Sequence, residues 1–365
     1  MKKIVSIIGA RPQFIKVAAL VREIHGKFRH IIIHTGQHYD DNMSDVFFRE
    51  LSIPYPDYNL EVGAGTHGVQ TGMMLLRLEP LLQKLHPDMV ITYGDTNSTL
   101  AAALCAKKLH FAVTHVEAGL RSFNKKMAEE LNRISVDHIS DILCAPTVTA
   151  VNNLLKEGIP SERIIQTGDI MYDIALFYKK NSDETILNKI GVQKKGYILF
   201  TMHRAENTDV NHRLRSIMAA ITEFAKDFSV VWPIHPRAKK MLQEADLYKR
   251  VSCLVNIIDP VGYKTMLELE NSAQMIITDS GGVQKEAYFY NVPCLVLRDS
   301  TEWTELIDFK YNTLVPDLTS EKIVRTFQKI LKNDLFNDMS ESRPMFYGDG
   351  NAAVTIIDSI EKFLE

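Results

Sequence analysis

Cysteine is scarce and unpaired in this chain, long apolar runs are missing, and neither sign of charge dominates. The four cysteines, Cys105, Cys144, Cys253 and Cys294, stand singly with no C-x-x-C spacing. That pattern excludes a disulfide scaffold or a zinc ribbon and marks all four as reduced core residues. No segment approaches the ~20 consecutive apolar residues of a membrane span. The apolar run from Ile4 to Ala10 is too short and wrongly flanked for a signal peptide, so a cytoplasmic protein without a membrane partner is expected. With 42 Lys and Arg against 45 Asp and Glu, the net charge of −3 exerts no broad pull on nucleic acid, and any anion site must be local. Two familiar cofactor signatures are also missing. Gly9-Ala10-Arg11-Pro12-Gln13-Phe14 lacks the G-x-G-x-x-G spacing of a dinucleotide turn, and no G-x-x-x-x-G-K-S/T occurs, so no cofactor is expected. His30, His34 and His38 are four apart but fall on a strand and its glycine turn, and no acidic cluster has ligand spacing. No metal is expected either.

What is present is a regular alternation. The chain has 365 residues, enough for two domains, and 45% hydrophobic with 24% charged residues suits a globular protein. Short β-branched runs alternate with longer amphipathic stretches, which predicts an α/β fold of parallel strands and crossover helices. The expected strands of the first half are 4–8, 31–34, 89–93, 112–116, 142–144 and 164–166. Those of the second are 197–202, 229–232, 255–258, 275–278, 294–297 and 312–315. The predicted division is a first domain over 1–170, a second over 171–351, and a last helix, 352–365, packing back onto the first. Most strands end in polar residues, the position outside the carboxyl ends where ligands bind in open α/β sheets. Two doubly wound, Rossmann-like domains facing each other across a cleft are the simplest arrangement.

Two groups of residues carry candidate chemistry. Between Ile276 and Ala287 a buried strand stops at Asp279-Ser280-Gly281-Gly282 and restarts as a helix. Gly281 and Gly282 let backbone approach an anion, Ser280 adds a hydroxyl donor, and the first N–H groups of the helix point outward, so a phosphate is expected there. Glu286, one turn on, is placed for the hydroxyls of a ribose. The second group runs from Asp95 through Glu117, Arg121, Glu129 and Glu130 to Arg133. Crowded carboxylates push each other's pKa apart, so that one accepts a proton while another keeps one. Glu129 and Arg133 are four apart, so on a helix they share one face, and a surface ion pair is the plain alternative to a role in the chemistry. His203 and His235, each just after a strand, suit general acids or donors to a diphosphate. With Arg11, Lys16, Arg204 and Arg237 they form a cationic lining.

The chain resembles the non-hydrolysing UDP-N-acetylglucosamine 2-epimerases over nearly its whole length. The carrying motifs are Gly9-Ala10-Arg11-Pro12 with Lys16, His34-Thr35-Gly36-Gln37-His38, Gly94-Asp95-Thr96, His115-Val116-Glu117-Ala118-Gly119-Leu120-Arg121, Glu129-Glu130-Leu131-Asn132-Arg133, His203-Arg204-Ala205-Glu206-Asn207 and Thr278 to Glu286. The resemblance implies the B-type glycosyltransferase fold, with UDP held by the second domain and the sugar set against the first. It implies elimination of UDP to a 2-acetamidoglycal followed by re-addition, for surface polysaccharide precursors. Asp95, Glu117 and Glu129 become the proton-transfer candidates and His203 the acid or diphosphate donor. Arg11, Lys16 and Arg133 would hold charge, and Ser280, Gly281, Gly282 and Glu286 phosphate and ribose. A homodimer is the family expectation, and Gln70 and His235 would touch substrate at a second, activating site. Two departures point to the branch acting on UDP-2,3-diacetamido-2,3-dideoxyglucuronate. The segment from Ser122 to Ala128 is shorter than in many relatives, and Trp303-Thr304 replaces a common Arg-Pro. Lys125 or Lys126 would then meet a uronate carboxylate. A B-type glycosyltransferase, a hydrolysing epimerase and a non-catalytic UDP-sugar sensor are the other readings.

Overall fold

The computed structural model describes residues 1–37, 48–332 and 343–365; His38 lies outside them. They form two compact units, Met1–Leu176 with Met345–Glu365, and Phe177–Pro344.

In the first unit β1 (Lys3–Ile8), β2 (Arg29–His34), β3 (Tyr58–Asn59), β4 (Met89–Tyr93), β5 (Ala112–Val116), β6 (Ile142–Ala145) and β7 (Ile164–Gln166) build one sheet in the order β3-β2-β1-β4-β5-β6-β7. Every pairing is parallel. Helices cover both faces, so the central strands read as continuous apolar runs; β4 is buried at all five positions. Val5 on β1 lies between Ile31 of β2 and Val90 of β4. The order reverses between β1 and β4, which makes their carboxyl ends the switch point of this sheet. β3 is the strand that the sequence reading misses: two residues carry no period, and only pairing with Ile33 and His34 makes them a strand.

The second unit repeats the plan. Here β8 (Tyr197–Thr201), β9 (Ser229–Pro233), β10 (Asn256–Ile258), β11 (Met275–Thr278), β12 (Cys294–Val296) and β13 (Asn312–Leu314) are ordered β10-β9-β8-β11-β12-β13. Its switch point is the end of β8 and β11. The core is aromatic at two places, Phe200 against Trp232 with ring centroids 4.6 Å apart and Phe224 stacked on Phe327 at 3.9 Å.

The last helix, Ala352–Leu364, belongs to the first unit and buries Ile356, Ile357 and Ile360. Asn351 gives it no side-chain cap. Asp173 does so from a distant point in sequence, accepting from the N–H groups of Ala352 and Ala353 at 3.1 and 2.8 Å. Burial outweighs these bonds and pushes the Asp173 carboxyl up to about 6. The cysteines are all free, but Cys253 corrects the expectation of four core residues. It follows the five-residue helix Tyr248–Ser252 in a turn where nothing covers it, and it is exposed. No helix among the described residues is long and apolar enough to cross a membrane.

Candidate active site

At the switch point of the first unit, Gln13 ties the two strand ends together. Its side-chain oxygen accepts from the N–H groups of Gly9 and Ala10 (2.7 and 3.0 Å), and its amide donates to the carbonyl of Tyr93 (2.8 Å). Gly9 must be glycine, because a Cβ there would stand 2.0 Å from the Thr35 hydroxyl and 2.3 Å from that of Ser98. Arg11 and Lys16 follow on the helix Arg11–Ile24. Burial lowers the Arg11 guanidinium, and the nearby charge of Glu50 opposes it. Lys16 is buried and makes an ion pair with Glu117 just past β5. A side chain at Gly94, which has a φ of +64°, would press on both groups, 3.0 Å from Lys16 Nζ and 3.3 Å from Glu117 Oε2. Glu117 itself has a φ of +73°, a left-handed conformation costly for a side chain of this kind and characteristic of functional positions.

Asp95 completes the cluster. Arg133 donates to it at 2.6 Å and to Glu130 at 2.6 Å, while Asn132 holds the Asp95 carbonyl at 2.8 Å. Burial raises the Asp95 carboxyl above its ordinary value; Arg133 and Lys16 oppose the rise, and Glu117 and Glu129 add to it. Lys16, Asp95, Glu117, Glu129 and Arg133 therefore share one electrostatic neighbourhood. The surface ion pair weighed between Glu129 and Arg133 is corrected, because the partner of Arg133 on the helix Ala128–Ile139 is Glu130, three residues back. Glu130 is buried and also accepts from the N–H groups of Ser122 and Phe123, both at 2.9 Å. Although burial works against it, those bonds and Arg133 hold its carboxyl below the ordinary value. Glu129 is left exposed on the first turn. Lys125 and Lys126 are exposed in the short loop that Glu130 anchors.

Behind this cluster lies a network that the sequence reading missed. His115 is fully buried; one ring nitrogen meets Asp137 at 2.6 Å and the other the carbonyl of Gly94 at 2.7 Å. Asp137 also receives Arg121 at 2.7 Å, and Arg121 bridges on to Glu157 at 2.7 Å. Burial would raise Asp137, but His115 and Arg121 hold it below the ordinary range. No local spacing announces this network, since His115 and Asp137 are 22 residues apart.

In the second unit Asp279, at the end of β11, gathers the strand ends. It accepts from the N–H groups of His203 and Arg204 (both 3.1 Å), from Asn207 (3.1 Å) and from the His203 ring (3.2 Å). Burial opposes and these donors outweigh it, so its carboxyl is held down. His203 is left partly exposed with its ring centroid 6.0 Å from that of His235. His235 caps the helix Pro236–Glu244 by accepting from the N–H of Arg237 at 3.2 Å. Arg237, expected in the lining, pairs instead with Asp209 on the surface. Arg204 donates to the Asp279 carbonyl at 2.9 Å.

The helix Gly281–Phe289 begins at Ser280, whose side chain makes no cap bond. The space at Gly281 belongs to Glu302, whose Oε1 lies 2.5 Å from where a Cβ would stand. Burial raises the Glu302 carboxyl, but Arg298 at 2.8 Å and Arg204 hold it down. Gly282 is the roomier of the two, with Glu286 Oε2 at 3.9 Å and the Ser280 hydroxyl at 4.0 Å. Glu286 is buried, and its Oε1 accepts from Tyr263 at 2.7 Å. Nothing in the sequence marked Tyr263.

The family model described as UDP-N-acetylglucosamine 2-epimerase matches residues 22–361. A Methanococcus maripaludis protein named a UDP-N-acetylglucosamine 2-epimerase homolog is 50% identical over 363 residues, 98% of each chain. The UDP-2,3-diacetamido-2,3-dideoxy-D-glucuronate 2-epimerase of Pseudomonas aeruginosa is 44% identical over 366 residues, 99% of each. Among solved structures, the UDP-GlcNAc 2-epimerase of Methanocaldococcus jannaschii in complex with UDP-GlcNAc and UDP superposes with a TM-score of 0.89 at 42% identity, covering 99% of both chains.

Proposed function

The chain belongs to the UDP-N-acetylglucosamine 2-epimerase family, a family of isomerases, and we propose from that premise that it inverts C-2 of a UDP-2-acetamido sugar, converting UDP-N-acetylglucosamine to UDP-N-acetylmannosamine. The observation that carries this reading is the group of Asp95, Glu117 and Glu129 around Lys16 and Arg133 at one switch point. A sugar transferase needs one cationic grip on its leaving diphosphate. It has no use for three acids in one electrostatic neighbourhood.

The C-2 hydrogen of an N-acetylhexosamine is not adjacent to a carbonyl, so direct deprotonation is prohibitively slow. Elimination solves this: a carboxylate takes the C-2 proton, the C-1 to oxygen bond breaks, and UDP leaves from a 2-acetamidoglycal. Re-addition of UDP with protonation on the other face gives the epimer. Glu117, strained and paired with Lys16, and Asp95, paired with Arg133, are the two acids held in fixed geometry; Glu129 is the solvent-facing third. His203, with Asp279 behind it, donates to the departing diphosphate, and His235 and Arg11 add charge. Ser280, Gly281 and Gly282 hold phosphate, and Glu286 the ribose. A homodimer in the cytoplasm supplying surface polysaccharide precursors completes the reading.

Positional isotope exchange tests it. UDP-N-acetylglucosamine carrying a heavy oxygen between C-1 and phosphorus should scramble that label into the non-bridging oxygens as fast as it epimerises. Epimerisation without scrambling excludes C–O cleavage. A second substrate, the 2,3-diacetamido uronate, is supported by the Pseudomonas relative and by the short, lysine-bearing loop over Glu130. Changing both Lys125 and Lys126 to Ala should then lower kcat/KM for the uronate alone.

A further inference from the structure

Glu270 sits on the helix Tyr263–Ser272, fully buried in the second unit, and the mechanism has no use for it. Neither of its carboxylate oxygens meets a donor. The group at hydrogen-bonding range is the carboxyl of Glu286, itself an acceptor. Two carboxyl groups in such contact hold together only with a proton between them, since two buried anions at this range repel strongly. Glu286 has its Oε1 fixed by the Tyr263 hydroxyl, from the same helix that carries Glu270. Its Oε2 lies 3.9 Å from where a Cβ on Gly282 would stand, at the start of the nucleotide helix. Glu286 is thus braced by two groups of one helix, Tyr263 and Glu270.

The surroundings keep the proton in place. Tyr263 is on the same helix, Tyr290 ends the helix of Glu286, Cys294 lies on β12 and Tyr197 on β8. All four are pushed above their ordinary values, by burial first and then by the carboxyls of this pocket. Glu268, the remaining acid, is engaged by Ser182, Asp183 and Ser272. Burial and the contact with Glu286 push Glu270 well above the usual carboxylate range.

We propose that Glu270 is a positioning residue for nucleotide binding: as a neutral acid it donates a hydrogen bond to Glu286, which, braced by this bond and by Tyr263, turns its other oxygen to the ribose hydroxyls. The proposal rests on the reading of Glu286 as the ribose acceptor. It predicts that discrimination between ribose and dideoxyribose depends on a side chain that never touches the nucleotide.

Calorimetric titration with UDP and with 2′,3′-dideoxy-UDP tests it on the full chain, for wild type, Glu270→Gln and Glu270→Leu. The amide of Gln keeps a donor and Leu removes it. Wild type and Glu270→Gln should prefer UDP equally, while Glu270→Leu should lose about fivefold to tenfold of that preference, the effect of one typical hydrogen bond. On raising the pH, the preference of wild type should fall as Glu270 loses its proton, and that of Glu270→Gln should stay flat. A wild-type preference retained by Glu270→Leu overturns the proposal alone. No preference in wild type overturns the ribose reading and the proposal with it. Thermal melting confirms that the variants are folded; a Leu replacing a buried carboxyl should melt at or above wild type, so lost discrimination would not reflect unfolding.

Discussion

Two clusters of acids are handled in opposite ways. In the first, beside the first unit's switch point, the acids face cations: Glu117 has Lys16, Asp95 and Glu130 share Arg133, and Asp137 has Arg121. In the second, Glu270 and Glu286 are given each other and a tyrosine. Cations fix carboxylates as anions, ready to take a proton or to orient what does. A shared proton instead makes a rigid, weakly charged brace. The contrast teaches that burial of an acid does not decide its role; the charge of what faces it does.

The strongest way to break the comparison is to remove an anion on which several donors converge. Asp137→Leu leaves buried Arg121 with Glu157 alone and takes a partner from His115 and from the Gly119 N–H, and urea denaturation should show a loss of about 3–5 kcal/mol. The same carboxylate sets an acid limit. Its folded pKa is depressed, so its stabilisation is complete above the unfolded value and is lost as pH falls below about 4.

Next in size is Glu117→Gln, which keeps the shape and abolishes the charge facing Lys16. The rate of deuterium incorporation at C-2 should fall about 10²–10³-fold, or roughly 3–4 kcal/mol of barrier. An unaltered rate would remove Glu117 from proton transfer and leave Asp95 and Glu129.

Asp173 sharpens the contrast from the first unit, as an acid capped by N–H groups with no cation. Its folded pKa of about 6 lies above the unfolded value, so the native state holds more protons between the two. Stability should therefore fall by roughly 2 kcal/mol as pH rises from about 4 to 6. Asp173→Asn should flatten that slope in urea titrations across this window. The smallest expected effect is in the second unit, where Glu270→Leu should raise stability at neutral pH by about 1 kcal/mol.

Most of the fold was legible because buried parallel strands write themselves as apolar β-branched runs; of the thirteen strands among the described residues, only β3 lacked such a run. The polar ends of β4, β5 and β11 stood out for the same reason, since an apolar run that stops at Asp, Glu or Gly-Gly is anomalous for a core. What escaped was whatever depends on a partner far along the chain. Nothing local to Glu270 shows that it meets Glu286, and Arg133 has carboxylates both three and four residues back, of which only three-dimensional packing selects Glu130. His115 read as part of a motif, yet its work of joining Asp137 to the Gly94 carbonyl appears only once β4 and β5 lie side by side.

The central claim is that this chain exchanges the C-2 proton of its sugar without an acceptor. Proton NMR of the purified protein with UDP-N-acetylglucosamine in heavy water measures it directly, following C-2 and the anomeric signal together. The account predicts UDP-N-acetylmannosamine with deuterium at C-2 and the sugar still attached to UDP. Free N-acetylmannosamine with UDP would mean the hydrolysing reaction, and no exchange with either this sugar or the diacetamido uronate would contradict the account.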